Sequence, residues 1–301
     1  SEGLKNCISN TNSNYYKCKL CKNKLDSLLK NSTHENLKVD YYDKSNKYSL
    51  IDVKTIEELK KLIYKGVNIG RGIHSATITI LKDHKYDLLY ISAIQAKKWW
   101  ANQNPEEDRA LIDNFFQSLN NVKVNKVIFI STVDVYQPPL NADEDTPSNK
   151  DIHAYGANRL YAEERAAELF EDLHIIRLQG LVADNLSKNI VFDLKNKNIL
   201  ETINPESALQ WYPLSRLNRD IAKVIQHNIP LINLSVEPVK TQDIINIAPL
   251  TNDEKAIVST KPVNPAFYDV ISKYAELFDG NKGYIVSAEE SLFEIEKYFK
   301  S

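Results

Sequence analysis

The chain has 301 residues, enough for one large or two moderate hydrophobic cores. Its 38 basic and 40 acidic residues give a net charge of −2, a balance that excludes nucleic acid or an anionic membrane surface as principal partner. No apolar run approaches bilayer length, and Cys7, Cys18 and Cys21 are too few and odd in number for a disulfide scaffold, so the expectation is a soluble protein of the reducing cytoplasm.

In chain order, residues 1–47 are rich in Asn, Lys, Ser and Tyr with little apolar periodicity, and are expected to be an appended segment. Cys18-Lys19-Leu20-Cys21 is a single C-x-x-C whose companions, Cys7 and His34, are irregularly spaced. One such knuckle is weaker than two, so free thiols are favoured over zinc, and no metal ligands are expected. From Tyr48 the pattern becomes regular. YSLIDV is strand-like, TIEELKKLIY is helical with Gly66 placed to end it, and HSATITIL is β-branched. DLLYIS follows as an apolar strand, and Pro105 opens a helix with acids in its first turn. KVIFIS, the helix AYGANRLYAEERAAELF and the strand HIIRL complete an alternation of apolar strands and amphipathic helices. Such alternation predicts βαβ units and a parallel sheet covered by helices. Beyond Gly180 come shorter elements, with helices in KNIVFDLKNK and LSRLNRDIAKVIQ, strands in LINLS and GYIVS, and a final helix from Ser287 with Glu290 completing a capping box. The expected division is residues 1–47, a Rossmann-like domain over 48–180, and a smaller lobe over 181–301 that covers substrate.

The segment from Val124 to Arg159 carries the chemistry. A strand ends in Ser131-Thr132, and Tyr155 opens a helix four residues before Arg159. Positions i and i+4 share a helix face, and a fixed cation beside a phenol favours its ionisation. With a strand-end hydroxyl to polarise the same oxygen, this suits proton transfer at a carbonyl or alcohol. Tyr155 also has a purely structural reading, a ring packed at the sheet edge. Trp99 and Trp100 suit stacking on a ring or plain packing, His153 reads as a loop residue, and Asp134 reads equally as a second acid or as a turn cap.

Strand-S-T-x-D-x-Y, then Y-x-x-x-basic, then an R-L strand resembles the extended short-chain dehydrogenase/reductase superfamily of the NAD-dependent epimerase/dehydratase type over residues 86–239, in a branch carrying K-W-x-A-N at Lys98 to Asn102. The resemblance implies a doubly wound Rossmann-like fold with the site at the carboxyl ends of the strands. It implies catalytic roles for Tyr155, Thr132 and Arg159. It places NAD or NADP against Ser92, Ala93, Ser131 and Arg159, and a hydroxylated substrate, nucleotide sugars included, against Lys98, Trp99, Asn102 and Asn189.

The departures are specific. Arg159 replaces a lysine and cannot relay a proton as an ammonium does. Val133-Asp134 replaces an Asp-Glu pair, which disfavours dehydration. Gly180 stands in place of an asparagine. No G-x-x-G-x-x-G occurs, and Gly66, Gly70, Arg71 and Gly72 have the wrong spacing for a phosphate cradle. Two readings therefore stand: an NAD(P)-dependent oxidoreductase or epimerase, and a non-catalytic Rossmann-fold binding protein that has lost its dinucleotide site. The mixed-charge face of LYAEERAAELF suits a homodimer contact or plain solvation.

Overall fold

In the computed structural model the described residues are 37–42, 48–53, 85–148, 151–184 and 186–301. The chain divides into two units, one comprising residues 1–93 and 117–125, the other 94–116 and 126–301.

In the first unit, β1 (Leu37–Tyr42) pairs antiparallel with β2 (Tyr48–Val53). β2 coincides with the predicted YSLIDV strand. β1 falls where no element was expected, its period-2 alternation hidden by a Lys- and Asn-rich neighbourhood. β3 (Lys85–Ile91) is the DLLYIS strand and buries Tyr86, Leu89 and Ile91. Cys7, Cys18, Cys21, His34, Gly66, Gly70, Arg71 and Gly72, and the expected elements TIEELKKLIY and HSATITIL, lie outside the described residues.

The second unit holds α1 (Lys98–Gln103), α2 (Pro105–Leu119) as far as Phe116 and β4 (Lys123–Thr132) from Lys126 onward. Then come β5 (Leu140–Ala142), α3 (Ala154–Leu169), β6 (Leu173–Leu178), β7 (Gly180–Val182), α4 (Ile190–Asn196), β8 (Ala208–Leu209) and β9 (Trp211–Pro213). The chain closes with α5 (Leu217–Gln226), β10 (Leu231–Asn233), β11 (Val239–Lys240), α6 (Thr241–Ile247), α7 (Asn252–Ile257), β12 (Asp269–Val270) and α8 (Ala288–Lys300).

β4, β6 and β10 are parallel neighbours in the order β10-β6-β4. Val127, Ile128 and Phe129 are buried in succession, as a strand covered on both faces requires. The chain is thus α/β, with a Rossmann-like parallel sheet whose β4 delivers Ser131 and Thr132 at its carboxyl end.

Pro105 starts α2 without sacrificing a helical hydrogen bond, and Glu106, Glu107 and Asp108 follow in its first turn. At the C-terminal end, Ile295, Tyr298 and Phe299 of α8 pack with Trp211, Val182 and Ile244 in one apolar cluster. Ser287 caps α8 by accepting from Glu290 N–H at 3.1 Å. The reciprocal half of the expected capping box is replaced, because Arg216 takes the Glu290 carboxylate at 2.5 Å. GYIVS, expected as a strand, makes only isolated bridges, Val236 with Val286 and Asn281 with Tyr284. Among the described residues no helix is long and apolar enough to cross a membrane.

One glycine fixes how α3 meets the end of β4. A Cβ on Gly156 would lie 2.2 Å from the Asp134 carbonyl oxygen and 2.5 Å from Ile152 Cδ1. Helix propensity favours Gly156→Ala by about 1 kcal/mol. A backbone oxygen cannot move aside as a side chain can, so overpacking of about 1–3 kcal/mol wins. Thermal denaturation of Gly156→Ala is expected to show a lowered Tm; an unchanged or raised Tm would mean that α3 does not sit this close to Asp134.

Candidate active site

The start of α3 is held by the side chain of Asn102 on α1 and by that of its own N-cap residue, His153. Tyr155 N–H donates to Asn102 Oδ1 at 2.8 Å, and Gly156 N–H donates to His153 Nδ1 at 3.0 Å. These bonds satisfy donors that a helix N-terminus leaves unpaired. Asn102, expected to contact substrate, therefore serves the helix that carries Tyr155. Its amide oxygen was legible as a hydrogen-bonding group, but its partner, 53 residues away, was not.

Tyr155 is buried, its ring stacked on His153 at 6.3 Å between centroids and 24° between planes. The Arg159 guanidinium carbon is 4.6 Å from its ring centroid, as the i, i+4 spacing predicted. The electrostatic outcome differs from the expectation. Burial pushes the Tyr155 phenol above its ordinary value; Arg159 pulls it down, Asp134 adds to the rise, and burial prevails. Arg159 is itself buried and paired with Asp108 at 2.8 Å, and its Nη2 also donates to the Gln95 carbonyl at 2.7 Å. Asn158 completes the arrangement by donating to Asp108 Oδ2 at 2.9 Å. Asp108, read from sequence as a helix-dipole acid, is the counter-charge of Arg159. Arg159 Nε and Nη1 are buried with no hydrogen-bond acceptor.

Three further groups meet beside this phenol. Asp134 Oδ1 accepts from Lys98 Nζ at 2.6 Å and from Tyr268 O–H at 2.7 Å, and Lys98 Nζ is 3.0 Å from the Tyr268 oxygen. His153 Nε2 lies 3.9 Å from the same carboxylate oxygen. Burial works against the Lys98 ammonium, yet Asp134 and then Tyr268 more than offset it and hold Lys98 above its ordinary value. Burial, reinforced by Asp134, pushes the Tyr268 phenol up to about 12. Nothing local in the sequence pointed to Tyr268, which comes from a segment 134 residues after Asp134.

The other expected site residues are placed as follows. Thr132 Oγ1 accepts from Asp134 N–H at 3.2 Å, which leaves its own proton to donate. Ser131 is buried and donates to Glu163 Oε1 at 2.5 Å, in a network with Arg177 and away from Tyr155's partners. Asn189 caps α4 by accepting from Phe192 N–H at 2.9 Å and donates to the Leu181 carbonyl at 2.9 Å. Trp99 is 63% exposed. Ser92 and Ala93 follow β3 in the first unit, with Ser92 Oγ buried and unpartnered. A cavity of about 900 Å³ beside Ile247 and Phe293, and one of about 410 Å³ beside Arg216 and Tyr284, contain none of these residues.

The sequence model described as the NAD dependent epimerase/dehydratase family matches residues 23–177, half of the chain. The chain belongs to this family. No curated protein matches it in sequence. Solved structures agree on the fold at low identity. An NAD-dependent NDP-hexosamine 5,6-dehydratase, TunA, involved in tunicamycin biosynthesis, shares 17% identity with a TM-score of 0.56 over 74% of this chain and 79% of its own. A dTDP-4-dehydrorhamnose reductase from Bacillus anthracis, solved with NADP, shares 15% with a TM-score of 0.55 over 75% and 85%. The Bordetella bronchiseptica enzyme WbmG, solved with NAD and UDP, shares 13% with a TM-score of 0.54 over 71% of each chain.

The family match begins inside the Lys- and Asn-rich segment and ends at Arg177, so it takes in β4, Tyr155 and Arg159 together. In this family member the residue four after Tyr155 is an arginine whose charge is already matched by Asp108.

Proposed function

We propose that the chain is an NAD(P)-dependent oxidoreductase or epimerase acting on a hydroxylated substrate of the sugar-nucleotide kind, with Tyr155 as general acid/base. The observation that carries the reading is the seating of Tyr155 at the start of α3, against the Arg159 guanidinium and beside the Lys98-Asp134-Tyr268 cluster. Tyr155 as phenolate takes the proton from a substrate hydroxyl on oxidation, and as phenol returns it to a carbonyl on reduction. Thr132 donates its free hydroxyl proton to the same substrate oxygen. Lys98 spends two of its three hydrogens on Asp134 and Tyr268, leaving one for substrate, and the exposed Trp99 ring offers a stacking face.

A bound nicotinamide supplies or accepts the hydride. The buried, unpartnered Nε and Nη1 of Arg159 fit the hydroxyls of the attached ribose, since each is a donor lacking an acceptor. Water elimination stays disfavoured, because Val133 is a buried core residue where a second carboxylate would be needed.

The ion pair of Arg159 with Asp108 and the raised Tyr155 phenol favour a second reading, a family member that binds a metabolite without turning it over. Calorimetric titration of the ligand-free chain with NAD and with NADP separates the two. Saturable binding of one dinucleotide, followed by hydride exchange with a nucleotide sugar seen in nicotinamide absorbance, is the expected result. An intact fold that binds neither dinucleotide would establish the non-catalytic reading.

A further inference from the structure

His153 occupies the N-cap position of α3, two residues before Tyr155. Its Nδ1 accepts from Gly156 N–H, and a ring nitrogen accepts only when it carries no proton. In the neutral ring the proton therefore sits on Nε2, the nitrogen that faces Asp134 Oδ1 at 3.9 Å. One ring thus ties down the first turn of α3, stacks on the Tyr155 ring and aims an N–H at the Lys98-Asp134-Tyr268 cluster.

We propose that His153 is a positioning residue for Tyr155 that works only as the neutral Nε2–H tautomer, so that acid releases the start of α3 and lowers turnover while the fold persists. The inference rests on the reading of Tyr155 as general acid/base. A second proton at Nδ1 would set two donors, Nδ1–H and Gly156 N–H, against each other. The turn cannot relieve this by moving inward, because Gly156 already lies against the Asp134 carbonyl. The ring must rotate, which breaks its stacking on Tyr155.

The groups facing His153 are Asp134 and Lys98 across the gap, Tyr268 behind Asp134, and Tyr155 on its own helix. Burial disfavours the imidazolium and Lys98 repels it; Asp134 attracts it but does not prevail, so His153 titrates below its ordinary value of about 6.5. The sign follows: His153 is neutral and capping at pH 7, and the cap is lost as pH falls through its lowered value.

Two measurements test this. The first is an acid titration of the full chain by NMR, reading the His153 ring nitrogens and the Gly156 amide. An unprotonated Nδ1 at neutral pH and a Gly156 amide that shifts with His153 titration are expected, with no such titration in His153→Asn. A protonated Nδ1 at neutral pH, or a Gly156 amide that ignores the titration, would overturn the proposal whatever Tyr155 does.

The second is the pH profile of kcat. His153→Ala should lower kcat about 2- to 30-fold, the range that loss of one helix cap supports, with KM little changed. His153→Asn, whose amide oxygen caps at every pH, should recover most of that loss at neutral pH and flatten the acid limb. An acid limb retained in His153→Asn would place the titrating group elsewhere. A failure of Tyr155→Phe to affect turnover would refute the acid/base reading alone, since the NMR arm stands apart from catalysis.

Discussion

Tyr155→Phe is expected to lower turnover by about two to four orders of magnitude while leaving the fold in place. The range is that of a lost general acid/base, and at 1.36 kcal/mol per decade it corresponds to about 3–5 kcal/mol of transition-state stabilisation. The fold should survive because phenylalanine keeps the ring that stacks on His153 and lies over Arg159, and because the backbone N–H held by Asn102 is untouched. Direction matters. Oxidation needs the phenolate, so its rate should climb with pH across the neutral range, the phenol having been raised by burial. Reduction uses the phenol and should stay flat there. A variant with wild-type turnover, checked in both directions with the same nucleotide sugar, would remove Tyr155 from the mechanism.

What the sequence revealed, and what it concealed, follows from the range of the interactions. The β4 and β6 strands, α2 and α3 were readable because continuous apolar runs and a proline followed by acids are local patterns. The stacking of Arg159 on Tyr155 was readable for the same reason, since i, i+4 geometry needs no knowledge of the fold. The sign of the Tyr155 shift was not. It depends on burial first and then on the balance of Arg159 against Asp134, and the burial does not exist until the chain is folded. Asn102 and Asn189 were expected against substrate; in the fold both accept from backbone N–H groups at helix starts, a use that sequence alone does not separate from ligand binding. His153 was read as a loop residue for want of any pattern that marks a histidine cap. Ser131 shows the same limit: next to Thr132 in sequence, it points into a buried ionic network instead.

That network carries the largest expected effect on stability. Arg177 on β6 pairs with Glu163 on α3, Nη2 to Oε2 at 2.6 Å and Nε to Oε1 at 3.0 Å, with both side chains 5% exposed. Tyr136 accepts from Arg177 Nη1 at 2.6 Å and donates to the Asp143 carbonyl at 2.8 Å, while Ser131 donates to Glu163. Glu163 lies two turns beyond Tyr155 on the same helix, so the pair fastens the helix that carries Tyr155 to the sheet. Glu163→Gln keeps the shape and removes the charge, which leaves a buried guanidinium without a counter-ion. The expected cost is about 3–5 kcal/mol, seen as a lower denaturant midpoint at unchanged slope. Pairing it with Arg177→Met should recover much of the loss, because the double variant buries no lone charge. Additive losses in the double variant, or a loss under about 1 kcal/mol in Glu163→Gln alone, would mean that the two charges are not mutually desolvated and that α3 is held to the sheet by apolar packing instead.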